Sequence, residues 1–341
     1  MNKSLFTIKQ RQISYDIIRF VAILIVFSIH CMAGLDAQRN TVSNIIVSNL
    51  FHAFQGIGVP LFVLLSGALL LGMLDSPSDF LKKRIVRVLV PFFIWSVLLF
   101  GIFYFVNPDY YGIDLRITPP YEVIMKFIDV LCFYGIHGVY WYVYMILGLY
   151  LVAPILQRFL QNADERVVLY ACMMVSAVVV MNTLSPDFLV TKRMASSNLI
   201  FLGYFLSGYY VKQYLLQKPW SKPVLNASAI LLFLLSFINQ YYPVVNQGIV
   251  VYFMSIAFFG ALMKCNIEDR IVAKYVTFVS RTSYGMYLSH VLLISLFIRI
   301  GIENLMPIAL VPFTLVTLIL VIESVIMYAI EKLKLSKYLG G

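Results

Sequence analysis

The chain has 341 residues, of which 61% are hydrophobic and 12% charged, and a formal net charge of +10. Its mean hydropathy is +0.87. A soluble domain carries about twice that share of charge, so a water-soluble enzyme is excluded and an all-α, polytopic membrane bundle is expected. In such a protein the positive balance reports topology and gives no reason to invoke nucleic acid.

Residues 1–11 are basic (Lys3, Lys9, Arg11) and no small-residue cleavage pattern follows, so a retained first helix is expected rather than a cleaved leader. The first apolar span, 15–35, holds Arg19 and His30. Eleven helical steps leave these side chains roughly 20° apart around the axis and about 16 Å apart along it. Ionisable groups inside a span are costly and by default face a protein interior with a function. Each also has a plainer reading. Arg19 can be a snorkelling anchor paired with Asp16, and His30 can be a hydrogen-bonded helix contact.

The second span, 48–74, carries Gly56, Gly58 and Pro60, so a kink or break is expected near its outer end. The KKRIVR segment then leads into the third span, 88–106, with Arg84 and Arg87 one turn apart. That pair can grip one anion, such as a phosphorylated cytoplasmic cofactor, or be an ordinary basic cluster at the inner surface. The outer loop, 107–136, is acidic and aromatic, and 121–133 has the pattern of an interfacial helix. The fourth span, 137–156, opens with His137, read as interfacial, and then Trp141 and Tyr142, which suit a membrane-interface belt or a sugar platform.

Spans at 167–184, 198–214, 224–242, 248–263, 283–300 and 308–330 bring the expected total to ten. In the ninth, Ser283, Tyr284, Tyr287 and His290 form a polar stripe on one face. In the tenth, Glu323 is the one deep acid; a buried acid needs a partner, and Arg19, at similar depth, is the expected one. Residues 331–341 read as an ordinary cytoplasmic tail. With the N-terminus inside, the inner segments hold 19 of the 26 Lys and Arg and the outer ones 6, Arg19 lying within the membrane. Both termini are therefore expected in the cytoplasm. The four cysteines show no metal-ligand spacing, no metal is expected, and a Cys31–Cys132 disulfide stays open. No P-loop, HExxH or GxSxG motif occurs, which disfavours a hydrolase with its own serine nucleophile.

Arg19-x10-His30, VPLFVLLSGALLL in the second span, RIVR before the third, WYVYMILGLYLVAPIL in the fourth and SYGMYLSH in the ninth follow one family's order. Over 12–330 the chain resembles the acyltransferase-3 family of bacterial integral-membrane O-acyltransferases. Within it, the chain is most similar to the short enterobacterial common antigen O-acetyltransferase type. The resemblance implies an enzyme of the bacterial inner membrane that moves an acetyl group from cytoplasmic acetyl-CoA to a hydroxyl of a cell-surface or lipid-linked glycan. It implies that Arg19 and His30 are the essential pair, and that Arg84 and Arg87 form the cytoplasmic RxxR motif. It also makes Ser66 and Gly67 the second-span SG, and Tyr284, Tyr287 and His290 the aromatic-histidine signature. On this reading Arg84, Arg87 and Arg19 hold the donor. His30 is general base or transient acyl carrier, and Ser66, Trp141, Tyr284, Tyr287, His290 and Glu323 support the substrates. Three other readings compete: a transporter or flippase of a lipid-linked sugar or small anion, the same scaffold carrying another acyl group such as succinyl, and a non-enzymatic membrane scaffold, which would give no reason for the Arg19–His30 face. Oligomeric state cannot be read from the sequence.

Overall fold

The computed structural model describes residues 12–32, 36, 40–73, 76–106, 111–112, 118–184 and 197–341. The expected N-terminal segment and much of the acidic outer loop lie outside the described residues. Within them the chain is helix and connection, with no strand. The helices are α1 (Ile13–His30), α2 (Val42–Gln55), α3 (Gly58–Leu70), α4 (Pro77–Val106), α5 (Pro120–Asp129), α6 (Trp141–Asn162) and α7 (Glu165–Leu184). They continue with α8 (Ser197–Gln213), α9 (Ser221–Asn239), α10 (Gln247–Leu262), α11 (Arg270–Ile300), α12 (Val311–Lys332) and α13 (Ser336–Leu339). The fold is all-α, as expected.

Among the described residues seven segments are long and apolar enough to cross a membrane: α1, α2 with α3, α4, α6, α9, α11 and α12. Helices α7, α8 and α10 fall on three further expected spans. Two of them are short, 17 residues in α8 and 16 in α10. The chain is thus a polytopic membrane protein. All four cysteines are free, including Cys31 and Cys132.

The expected break in the second span occurs at Gly56 and Ile57, between α2 and α3. Its cause is close packing. A Cβ on Gly58 would lie 3.0 Å from Ile25 and 3.3 Å from the Ala22 carbonyl of α1. The turn lets α3 lie directly on α1.

A tighter contact fixes the next turn. A Cβ on Gly67 would fall 1.8 Å from the Phe205 carbonyl oxygen, and one on Gly208 would fall 1.9 Å from that of Leu64. Two glycines, one on α3 and one on α8, thus let the backbones touch, the small-residue packing that membrane helices favour. This gives Gly67 a mechanical reason to follow Ser66. Gly67→Ala is expected to cost about 1–3 kcal/mol by overpacking. A thermal unfolding midpoint in detergent equal to that of the unaltered protein would contradict the close approach.

Two apolar cores result. One joins α1, α4, α6, α11 and α12; the other joins α1, α3, α6, α7, α8 and α10. Val59, Phe62, Tyr142 and Tyr150 pack against both. All four also line a single large cavity, which therefore runs along the seam between the cores.

The segment read as an ordinary tail is built into the bundle instead. The Trp95 indole N–H donates to the Leu339 carbonyl at 3.2 Å, and the Gly285 N–H donates to the Gly340 carbonyl at 2.9 Å. Gly340 has φ +85°, and a Cβ there would meet Gly285 N at 2.8 Å. Only glycine fits that seat.

Candidate active-site cavity

The seam cavity has a volume of about 1530 Å³. Arg19, Lys82, Lys83, Arg84, Arg87, Lys212, Arg281 and Lys337 all line it, against one acid, Asp16. These cations come from α1, α4, α8, α11 and the 336–341 segment, so tertiary structure gathers what the sequence scatters. Such an excess of positive charge beside apolar walls concentrates and orients an anionic ligand.

Arg19 is placed by α11. The Ser280 hydroxyl donates to Asp16 Oδ1 at 2.6 Å, and Thr277 donates to Oδ2 at 3.2 Å. Arg19 Nη1 donates to Ser280 Oγ at 3.3 Å and lies 3.6 Å from Asp16 Oδ1. Asp16 is buried, whereas the Arg19 side chain is 30% exposed and opens into the cavity. The expected Asp16 pairing is present, and it aims the guanidinium at the interior cavity rather than at lipid. Lys212 is steered in the same way, donating to the Ala68 carbonyl at 2.9 Å. Arg84 and Arg87, one turn apart on α4, also face the cavity.

The far end of the cavity is aromatic and uncharged. Val26 lies seven residues beyond Arg19 on the same stripe of α1, about 10 Å further along the axis. Val59, Tyr142 and Tyr287 are among the cavity's lining residues there. Ser66 and Tyr284 line it too, and the Tyr284 hydroxyl donates to the Val88 carbonyl at 2.9 Å. His30 is not a lining residue. The stripe reaches the cavity wall at Val26, one turn, about 6 Å of rise, short of it.

His30 instead faces a second imidazole. The His30 and His290 ring centres are 5.3 Å apart. His290 is fully buried, 5.9 Å from the ring of Tyr287 and 5.3 Å from that of Phe27. Because Tyr287 also lines the cavity, the cavity head and the imidazole pair are neighbours.

Two expected site residues are elsewhere. Glu323 does not pair with Arg19; it is fully buried on α12 and accepts a 2.8 Å hydrogen bond from Ser289. The two groups also differ in depth: Arg19 bonds Ser280, whereas Glu323 bonds Ser289, nine residues or about 13 Å further along α11. Trp141 is 47% exposed and sits against Phe201, ring centres 5.4 Å apart and tilted by 45°, and it does not line the cavity. One residue along α6, about 100° around the axis, Tyr142 turns inward, followed by Ile146 and Tyr150 at four-residue spacing. That stripe, with Lys212, Arg281 and Lys337, was the part of the site missed from sequence. The spacing of Tyr142, Ile146 and Tyr150 was its legible signal; the lysines carried none beyond their place near the inner surface. Among the described residues no group of His, Cys, Asp and Glu could hold a metal ion.

The fold and the cavity define a polytopic membrane protein with a cation-lined interior site. The model of a family described as an acyltransferase domain, acyltransferase 3, matches residues 12–328, and the chain belongs to that family. It is also similar to ORF330 of Acidianus two-tailed virus, named a candidate acetyltransferase, with 27% identity over 264 residues, 72% of this chain and 75% of that one. No solved structure matches the chain.

Proposed function

We propose that this membrane acyltransferase takes an acetyl group from cytoplasmic acetyl-CoA and delivers it to a hydroxyl of a cell-surface or lipid-linked glycan. The observation that carries the reading is the cavity: eight cations and one acid at one end, aromatic walls at the other, and an imidazole pair beside its head. The phosphates of the donor meet Arg84, Arg87 and Arg19. Its pantetheine arm is similar in length to the rise of about 16 Å from Arg19 to His30. The thioester then stands near Tyr287 and Val26, within reach of His30.

The chemistry needs one base. The sugar oxygen attacks the thioester carbonyl carbon, a C–O bond forms and the C–S bond breaks. His30 takes the hydroxyl proton and returns it to the departing thiolate, so the products are an acetyl ester and free CoA. In this reading the bundle crosses the bacterial inner membrane ten times with both termini in the cytoplasm. The basic end of the cavity then lies on the side of the Lys- and Arg-rich loops. Residues 12–330 form the transmembrane domain, and 331–341 close the cytoplasmic end of the cavity.

Ligand linkage supplies the test. CoA at about 100 times its dissociation constant is expected to stabilise the native state by about 2.7 kcal/mol. A thermal shift of the purified protein with CoA, absent with pantetheine alone, is the predicted result. No shift with CoA, as a glycan flippase would give, would overturn the proposal.

A further inference from the structure

His290 is fully buried, yet its Nε2 has no hydrogen-bond partner among the described residues. Leaving a buried polar atom unpaired is costly, and in a native structure it asks for a reason. The other nitrogen fixes the tautomer. Nδ1 lies 2.7 Å from the Tyr287 carbonyl oxygen, which can only accept, so Nδ1 carries a proton. In the uncharged ring Nε2 is then a bare lone pair.

The polar ring beside His290 is that of His30. The ring centres are 5.3 Å apart, and no hydrogen bond joins the rings in this arrangement. An imidazole nitrogen sits about 1.2 Å from its ring centre, so two nitrogens turned toward each other here would be about 3 Å apart, hydrogen-bond distance. The pairing requires the His30 ring to turn a nitrogen toward His290 Nε2. Phe27 and Tyr287 flank His290.

We propose that His290 is the positioning residue for His30, a role that rests on the transfer reading above. Its Nε2 accepts an N–H from His30, which leaves the second His30 nitrogen as a lone pair aimed at the acceptor hydroxyl. When His30 takes the hydroxyl proton, the shared N–H becomes charge-assisted and stabilises the imidazolium. That proton goes on to the leaving thiolate and never resides on His290.

Two substitutions separate this role from a structural one. His290→Gln can place its amide oxygen near the Nε2 position and reach His30. His290→Asn can keep the donation to the Tyr287 carbonyl but is too short to reach His30. The assay uses the purified protein in nanodiscs, radiolabelled acetyl-CoA and a total lipid-linked glycan extract as acceptor. The glutamine variant is expected to keep kcat within about 3-fold, and the asparagine variant to lose about 10- to 100-fold with KM for acetyl-CoA unchanged. In a His30→Ala background, His290→Asn is expected to change nothing further. The proposal is overturned if the asparagine variant outperforms the glutamine variant, if the two behave alike, or if the losses multiply in the His30→Ala background. Full transfer by His30→Ala alone would overturn the transfer reading itself. Loss in His30→Ala without the glutamine–asparagine difference would overturn only the role of His290.

Discussion

His30→Ala is expected to yield a folded protein that binds CoA as the unaltered chain does but transfers acetyl about 100- to 10,000-fold more slowly, the range a positioned general base contributes. Folding should survive because His30 is only half-buried at the last turn of α1, while the anchoring of that helix lies lower, in Asp16, Ser280 and Thr277. Binding should survive because His30 does not line the cation-rich cavity. Steady-state transfer together with the CoA-induced thermal shift checks both halves. A rate near that of the unaltered protein removes His30 from the chemistry. A kinetic refinement follows: an acyl-histidine intermediate gives ping-pong behaviour, whereas direct transfer requires both substrates together.

The second large effect is at the other end of the cavity. Replacing Arg84 and Arg87 together by alanine is expected to weaken CoA binding about 100-fold or more, because each charge-assisted hydrogen bond to a phosphate is worth about 1.5–3 kcal/mol. Turnover at saturating donor should change little, because the phosphates stand far from the reacting carbon and bind equally in the ground and transition states. Both arginines sit on α4 at the cavity wall, neither in its apolar core, so the bundle should remain intact. Isothermal titration with CoA reads the effect. An unchanged dissociation constant would return the pair to the status of an inner-surface charge cluster.

Much of this was legible in the chain because membrane helices announce themselves by apolar length, and because one helix's geometry relates residues along it. Arg19, Val26 and His30 share a stripe for that reason, and the break at Gly56 could be read from its composition. Relations between helices were not legible. Arg19 and Glu323 were matched by depth counted from uncertain span ends, but Arg19 meets α11 at Ser280 and Glu323 meets it at Ser289, about 13 Å further along. Trp141 and Tyr142 are adjacent in sequence and face opposite surroundings, since one step turns a helix by about 100°. The last residues read only as an ordinary cytoplasmic tail because alternating lysine and leucine carry no sign of the Gly285–Gly340 and Trp95–Leu339 hydrogen bonds that dock them. The His30–His290 pair joins the first and ninth expected spans, a contact that local pattern cannot encode.

The most direct measurement is a cryo-electron microscopy map of the protein with bound acetyl-CoA. The account predicts density along the seam cavity, phosphates against Arg84, Arg87 and Arg19, and the acetyl end beside Val26 and Tyr287 pointing toward His30. Phosphate density at the aromatic end, or CoA bound outside the cavity altogether, would contradict it.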